Sequence, residues 1–186
     1  MSRWQPNAHG RLAEAALELY AERGYDQVTV AEIAERAGLT ERTYFRYFAD
    51  KREVLFGGQA ELTELLIGRI DAAPEGTPPL DAVGLALAAF GEVLDGRRDQ
   101  AGKRQSVIDA NPSLQERELT KLALLTRQIA DALCRRGVDE PTARLAAETG
   151  MAVFKVAFER WVRADSGRGL AATIEAVRRE LADLTA

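Results

Sequence analysis

Between Thr29 and Lys51 the chain gathers hydroxyls, guanidiniums and phenols of the kind that meet a nucleic-acid backbone and base edges. Arg42 can donate two hydrogen bonds to guanine O6 and N7, and Thr43 and the ring of Tyr44 can meet a thymine methyl or a base edge. Thr29, Thr40, Arg46, Tyr47 and Lys51 suit phosphate oxygens, which set register without reading sequence. Arg46 has a second reading, as the partner of a nearby carboxylate. Arg3 and Trp4 stand where an N-terminal arm could reach DNA, or where a terminus simply frays. Groups for catalysis are sparse by comparison. The only histidine, His9, lies near the start, and the only cysteine, Cys134, stands beside Arg135 and Arg136 as a small residue of a helix end. Glu116 and Glu118 fall on different sides of a helix. Catalysis needs an activated nucleophile, or an acid and a base held together. The sequence offers neither, and it has no usual zinc-ligand set. It therefore reads as a non-enzyme with no metal and no cofactor.

Helices are the elements that must position these groups, because apolar residues recur at helical spacing and alternation at period two is nearly absent. Glycine, proline and Asp/Asn punctuation predicts helices over 8–23, 30–37, 41–47, 51–71, 80–94, 98–110, 113–136, 140–165 and 169–184, an all-α fold. Thr29 and Glu32 have capping-box spacing, as do Asp50 and Glu53. Gly38 ends the second helix, Leu39 can drop into the core, and Thr40 caps the third helix, whose Phe45 and Phe48 are expected to face inward. Two short helices joined by a tight turn form the helix-turn-helix geometry that lets the second enter a major groove.

Charge sharpens this reading. The 186 residues carry a net charge of −4, which argues against a protein that coats nucleic acid everywhere. Any contact with DNA must be local, and residues 39–52 hold Arg42, Arg46, Lys51 and Arg52 against Glu41 and Asp50. No apolar run suits a membrane span or a signal peptide, so a cytoplasmic protein without membrane contact is expected. The loop at 72–79 separates long helices from the short ones, and the predicted domains are a helix-turn-helix head over 1–52 and a helical body over 53–186.

The stretch ALELYAERGYDQVTVAEIAERAGLTERTYFRYFADKREVL resembles the DNA-binding head of the tetracycline-repressor (TetR) family, and the likeness runs over about residues 8–56. It is carried by a first helix ending in a glycine and an aromatic, then Val28-Thr29-Val30, Ile33-Ala34, Ala37-Gly38, Tyr44-Phe45, Tyr47-Phe48 and Lys51. Many members have glycine where this chain has Arg42. The resemblance implies a homodimer on palindromic operator DNA, with a helical body that binds a small-molecule effector and thereby lowers operator affinity. Repression is the expected outcome. Ligand-dependent activation and a helical interaction module that leaves DNA alone stand as alternatives.

Two stripes of the body suit a dimer: Ala146, Gly150, Val153 and Ala157 on one helix, and Leu170, Ile174, Val177, Leu181 and Leu184 on the next. The same stripes could instead pack within one chain. For a lipophilic effector the candidate lining is Phe90, Ile108, Leu125, Met151, Phe154 and Phe158, with Lys155 able to hold a ligand carboxylate or phosphate if its side faces inward. A solvated Lys155 paired with Glu148 or Glu159 is the competing reading.

Overall fold

A computed structural model of the chain describes residues 7–164 and 167–185; Arg3 and Trp4 lie outside them. Helices form close to where the periodicity and caps place them: α1 (Ala8–Arg23), α2 (Val30–Arg36), α3 (Glu41–Tyr47), α4 (Gln59–Asp71), α5 (Pro79–Leu94), α6 (Arg98–Asp109), α7 (Pro112–Arg135), α8 (Glu140–Arg163) and α9 (Leu170–Thr185). Among the described residues there is no strand, and no helix is long and apolar enough to cross a membrane. One element departs from expectation. The helix predicted over 51–71 is a 3-10 turn, Glu53–Phe56, followed by α4. Gly57 and Gly58 part them, and Gly58 takes a left-handed φ of 81° that other residues seldom adopt.

The chain divides into two compact units, Met1–Gln59 with Lys103–Arg117, and Ala60–Gly102 with Glu118–Ala186. The predicted boundary after residue 52 is thereby corrected in two ways. Val54, Leu55 and Phe56 are buried in the core of the first unit, and Val107, Ile108 and Leu114 join them from far along the sequence. Arg104 donates to the Leu55 carbonyl at 2.8 Å and stacks over Phe56, and Arg117 pairs with Glu53 at 2.6 Å. Glu53 pairs with Arg117, and Asp50 accepts from the amides of Arg52 and Glu53 at the start of the 3-10 turn. Ile108 is a core residue of this first unit, which removes it from the expected effector lining.

In the second unit α5, α8 and α9 pack on one another around Val83, Leu87, Met151, Trp161 and Ile174. Small residues set the spacing. A Cβ at Gly91 would stand 2.7 Å from the Ala171 nitrogen, and one at Gly150 would collide with Val83. The stripes pack within the chain, the second of their two readings: Ala146, Gly150, Val153, Ala157, Ile174 and Val177 are buried within their own chain, and Leu181 is packed against the same core. Small side chains permit close approach of any helix, and here the approaching helices are intramolecular. Only Leu184 of those stripes remains largely exposed. Polar clasps close the loops: Arg136 donates to the carbonyls of Ala73 and Pro74, Arg98 to those of Ala164 and Arg168, and Asp95 accepts from the first amide of α9.

Gly91→Ala is expected to cost about 1–3 kcal/mol, because the added methyl meets backbone that has no rotamer to escape into. Gly96→Ala, whose Cβ would stand in open space, is the control. Urea midpoints at unchanged slope measure both, and equal stability of the two variants would contradict the close approach.

Candidate nucleic-acid interface

A seven-residue helix has too few internal hydrogen bonds to stand alone, so caps and packing must hold α2 and α3 in place. The Thr29 hydroxyl accepts from the Glu32 amide at 3.3 Å, and the Glu32 carboxylate accepts from the Thr29 amide at 2.8 Å, which completes the capping box. Arg23 adds an ion pair to Glu32 at 2.7 Å. The Thr29 amide, then Arg23, holds the Glu32 carboxyl down at about 2. Gly38 follows α2 with φ 63°, and the Leu39 amide returns to the Ala34 carbonyl at 2.8 Å. Leu39 is partly buried against the core, as expected. The Thr40 hydroxyl then accepts from the Thr43 amide at 3.2 Å and opens α3.

The inner side of α3 is not the one its sequence pattern suggested. Tyr44 is 0% exposed, and its hydroxyl donates to the backbone carbonyls of Asp50 at 3.2 Å and Lys51 at 3.4 Å. Phe48 is buried with it, whereas Phe45 is 54% exposed. Tyr44 is therefore withdrawn from base contact, and Phe45, expected inside, stands on the outer face. Both registers are helical, since residues three and four apart share a side; the carbonyls that reward a buried phenol come from the following turn. Burial, with the Asp50 charge, pushes the Tyr44 hydroxyl well above the usual phenol range, so it remains a donor. Lys51 is engaged inside the head as well: its ammonium donates to the carbonyls of Tyr25 at 2.8 Å and Val28 at 3.0 Å and lies 4.1 Å from the centre of the Tyr25 ring.

What remains outside is a compact set. Arg42, Phe45, Arg46 and Tyr47 are exposed, and Thr43 is half-exposed with its hydroxyl 3.1 Å from that of Thr40. Arg46 donates to the Tyr47 hydroxyl at 3.2 Å and stacks over its ring, rather than pairing with a carboxylate. Nearby cations are already neutralised, Arg36 by Glu18 and Glu22 and Arg52 by Asp50. Arg42 and Arg46 have no ion pair among the described residues. The exposed side of α3 is thus cationic and aromatic, and its back is fixed.

The family model for bacterial regulatory proteins of the tetR family matches residues 12–56, and that for the MftR C-terminal domain matches residues 77–186. The chain is 32% identical over 158 residues to the protein named for mycofactocin biosynthesis regulation, MftR of Mycobacterium tuberculosis, covering 83% of this chain and 80% of that one. The chain belongs to the TetR family. Its other relatives include the HTH-type transcriptional regulator TcmR of Streptomyces glaucescens, 29% identical over 84% of this chain and 74% of that protein. The fold is that of FadR from Bacillus subtilis, solved with stearoyl-CoA: TM-score 0.63, 24% identity, 92% of this chain and 96% of that one. As a TetR-family member it is a DNA-binding transcriptional regulator and not an enzyme.

In the second unit of this TetR-family regulator, Leu125 and Met151 are buried in the core and Phe90, Phe154 and Phe158 pack against it. Ring centres stand 5.4 Å apart from Phe90 to Phe154, then 5.7 Å on to Phe158 and 5.7 Å on to Trp161. Lys155 is on the exposed side of α8, away from that column, so it does not face an internal ligand. It has no ion pair with Glu148 or Glu159, the latter being held by Arg163. An open surface depression of about 380 Å³ lies apart from the phenylalanines of that column, lined by Asp95, Arg98, Trp161, Gly167, Arg168 and Gly169.

Because the Glu32 carboxyl is held at about 2 against an ordinary 4.5, its contribution to stability is complete above 4.5 and is lost as pH falls toward 2. Asp50, held down by Arg52, acts in the same direction. Glu32→Gln is expected to flatten the acid limb of the urea midpoint plotted against pH; a limb as steep as in wild type would refute the pairing.

Proposed function

We propose that this regulator is a repressor that binds an inverted-repeat operator as a homodimer and is released by a lipophilic small molecule. The observation that carries the proposal is the outer side of α3, where Arg42, Phe45, Arg46 and Tyr47 are exposed while Tyr44 and Phe48 anchor the helix from behind. On DNA, Arg42 reads guanine and Thr43 and Phe45 meet thymine methyls or base edges. Thr29, Thr40, Arg46 and Tyr47 bind phosphates, and the remaining proton of the Lys51 ammonium serves one more. Selection of duplexes from a random-sequence pool is expected to recover an inverted repeat. Arg42→Ala should then relax preference at one base pair per half-site by about 1–3 kcal/mol, while Tyr47→Ala weakens binding to all sequences alike. Recovery of no common sequence would defeat the operator reading.

Dimerisation is assigned to the outer sides of α8 and α9. With the small-residue stripes buried, Leu145, Ala152 and Val156 present a second stripe on α8, at i, i+7 and i+11, and Leu184 is exposed on α9. Val156→Asp is expected to yield monomers in light scattering and to weaken operator binding; an unchanged dimer would place the interface elsewhere.

The effector is inferred to be a long-chain acyl thioester or a compound of like character. Support comes from the aromatic column around Phe154 and from the stearoyl-CoA held by the FadR of similar fold. A long-chain acyl-CoA should raise the melting temperature and lower operator affinity together. Neither effect with any chain length would exclude this ligand class.

A further inference from the structure

His9, the chain's only histidine, lies in a slot built from three sides. It occupies the first turn of α1, whose cap is Asn7, and its ring centre is 4.7 Å from that of Phe48 and 6.0 Å from that of Tyr47, edge to face with the latter. Gly57 forms the third side: a Cβ there would come within 2.7 Å of His9 Cε1 and 2.8 Å of Nε2, and 3.0 Å of Phe48. The slot therefore admits the imidazole because residue 57 has no side chain. It also sets the ring next to Tyr47, whose hydroxyl and ring Arg46 meets, at the C-terminal end of α3.

We propose that His9 is a titratable phosphate contact, which makes DNA binding tighter as pH falls through the range in which histidine takes up a proton. The inference rests on α3 as the DNA-contacting helix. A phosphate gripped by Tyr47 and Arg46 lies beside the imidazole and favours its protonated form, so binding takes up a proton. Of the charged and titratable groups around the slot among the described residues, Arg46 and the amino-terminal end of α1 repel a protonated imidazole, so the phosphate of bound DNA is what favours the charged form. On α3 these groups are Arg46 and the Tyr47 phenol, and Glu41 stands at the opposite end of the helix. Ahead of Gly57, Arg52 is paired with Asp50 and Glu53 with Arg117. On α1, Arg11 donates to the Ala37 carbonyl, and the first turn has no acidic side chain.

The probe is a mixed-sequence duplex bound by the full chain, because phosphate contacts do not depend on sequence. Affinity is measured against salt at about pH 6 and about pH 8, either side of the ordinary histidine range. One added phosphate contact per head is expected to steepen the slope of log K on log salt by about 0.9 for each head, about 1.8 for a dimer with both heads bound, at the lower pH. In His9→Gln the two slopes should coincide, which also separates the imidazole from the α-amino group. In Gly57→Ala, where the ring is pushed from its slot, the difference should vanish although His9 remains. Wild-type binding with equal slopes, or a difference that survives in His9→Gln, overturns the assignment while leaving the DNA-binding reading intact. No binding at either pH overturns both.

Discussion

Two buried phenols, Tyr20 and Tyr44, converge on the backbone carbonyl of Lys51, and the outer side of α3 takes its aim from that junction. The ammonium of the same lysine ties the Tyr25 and Val28 carbonyls, so the turn after α3 and the turn before α2 are joined through one residue. A buried hydroxyl or ammonium without partners would cost several kcal/mol, and each of these groups finds its acceptors only when α1 and α3 are correctly placed. The junction therefore selects one orientation of a short helix. Hydrophobic contact alone would accept several, because Phe45 could have packed where Tyr44 does.

The second unit is organised by a different constraint. Gly84, Gly91 and Gly150 bring backbones and side chains close enough that a methyl would collide, with the Arg178 guanidinium, Ala171 and Val83 respectively. Contact this close uses dispersion over long stretches of helix, and it leaves little freedom for the three helices α5, α8 and α9 to slide. It also consumes the small-residue faces. Any second copy must meet what is left, which on α8 is Leu145, Ala152 and Val156 set among charged side chains.

Charge follows the same division of labour. The chain is acidic overall, yet the cations near α3 are sorted by pairing: Arg36 on α2 and Arg52 in the turn after α3 are neutralised by Glu18, Glu22 and Asp50 and Lys51 is held by backbone carbonyls, while Arg42 and Arg46 point outward without carboxylates. Local positive potential here comes from a segment with four bases against two acids, in which Arg42 and Arg46 are left without carboxylate partners. The covalent path between the two units also runs through helices, since the unit boundary at 102–103 falls inside α6 and that at 117–118 inside α7.

Much of this was legible in one dimension. Helix ends, the Thr29–Glu32 capping box, the Gly38 turn and the Thr40 cap depend on neighbours within a few residues, and the sequence displays those neighbours directly. The split of 51–71 was missed because Gly57 and Gly58 are tolerated in many helices, and only the left-handed φ at Gly58 reveals the break. Long-range partners were out of reach: Ile108 in the head core, Glu53 held by Arg117, and Lys51 turned inward all depend on residues distant in the chain. By itself the sequence determined the helices, their caps and the family to which the head belongs, because these rest on local periodicity and hydrogen bonding. Tertiary structure alone decided which side of each helix is inside. Residues three and four apart are equally good neighbours on a helix, and only the buried acceptors and backbones of other elements can choose between Tyr44 and Phe45, or between a small-residue stripe and the aliphatic one beside it.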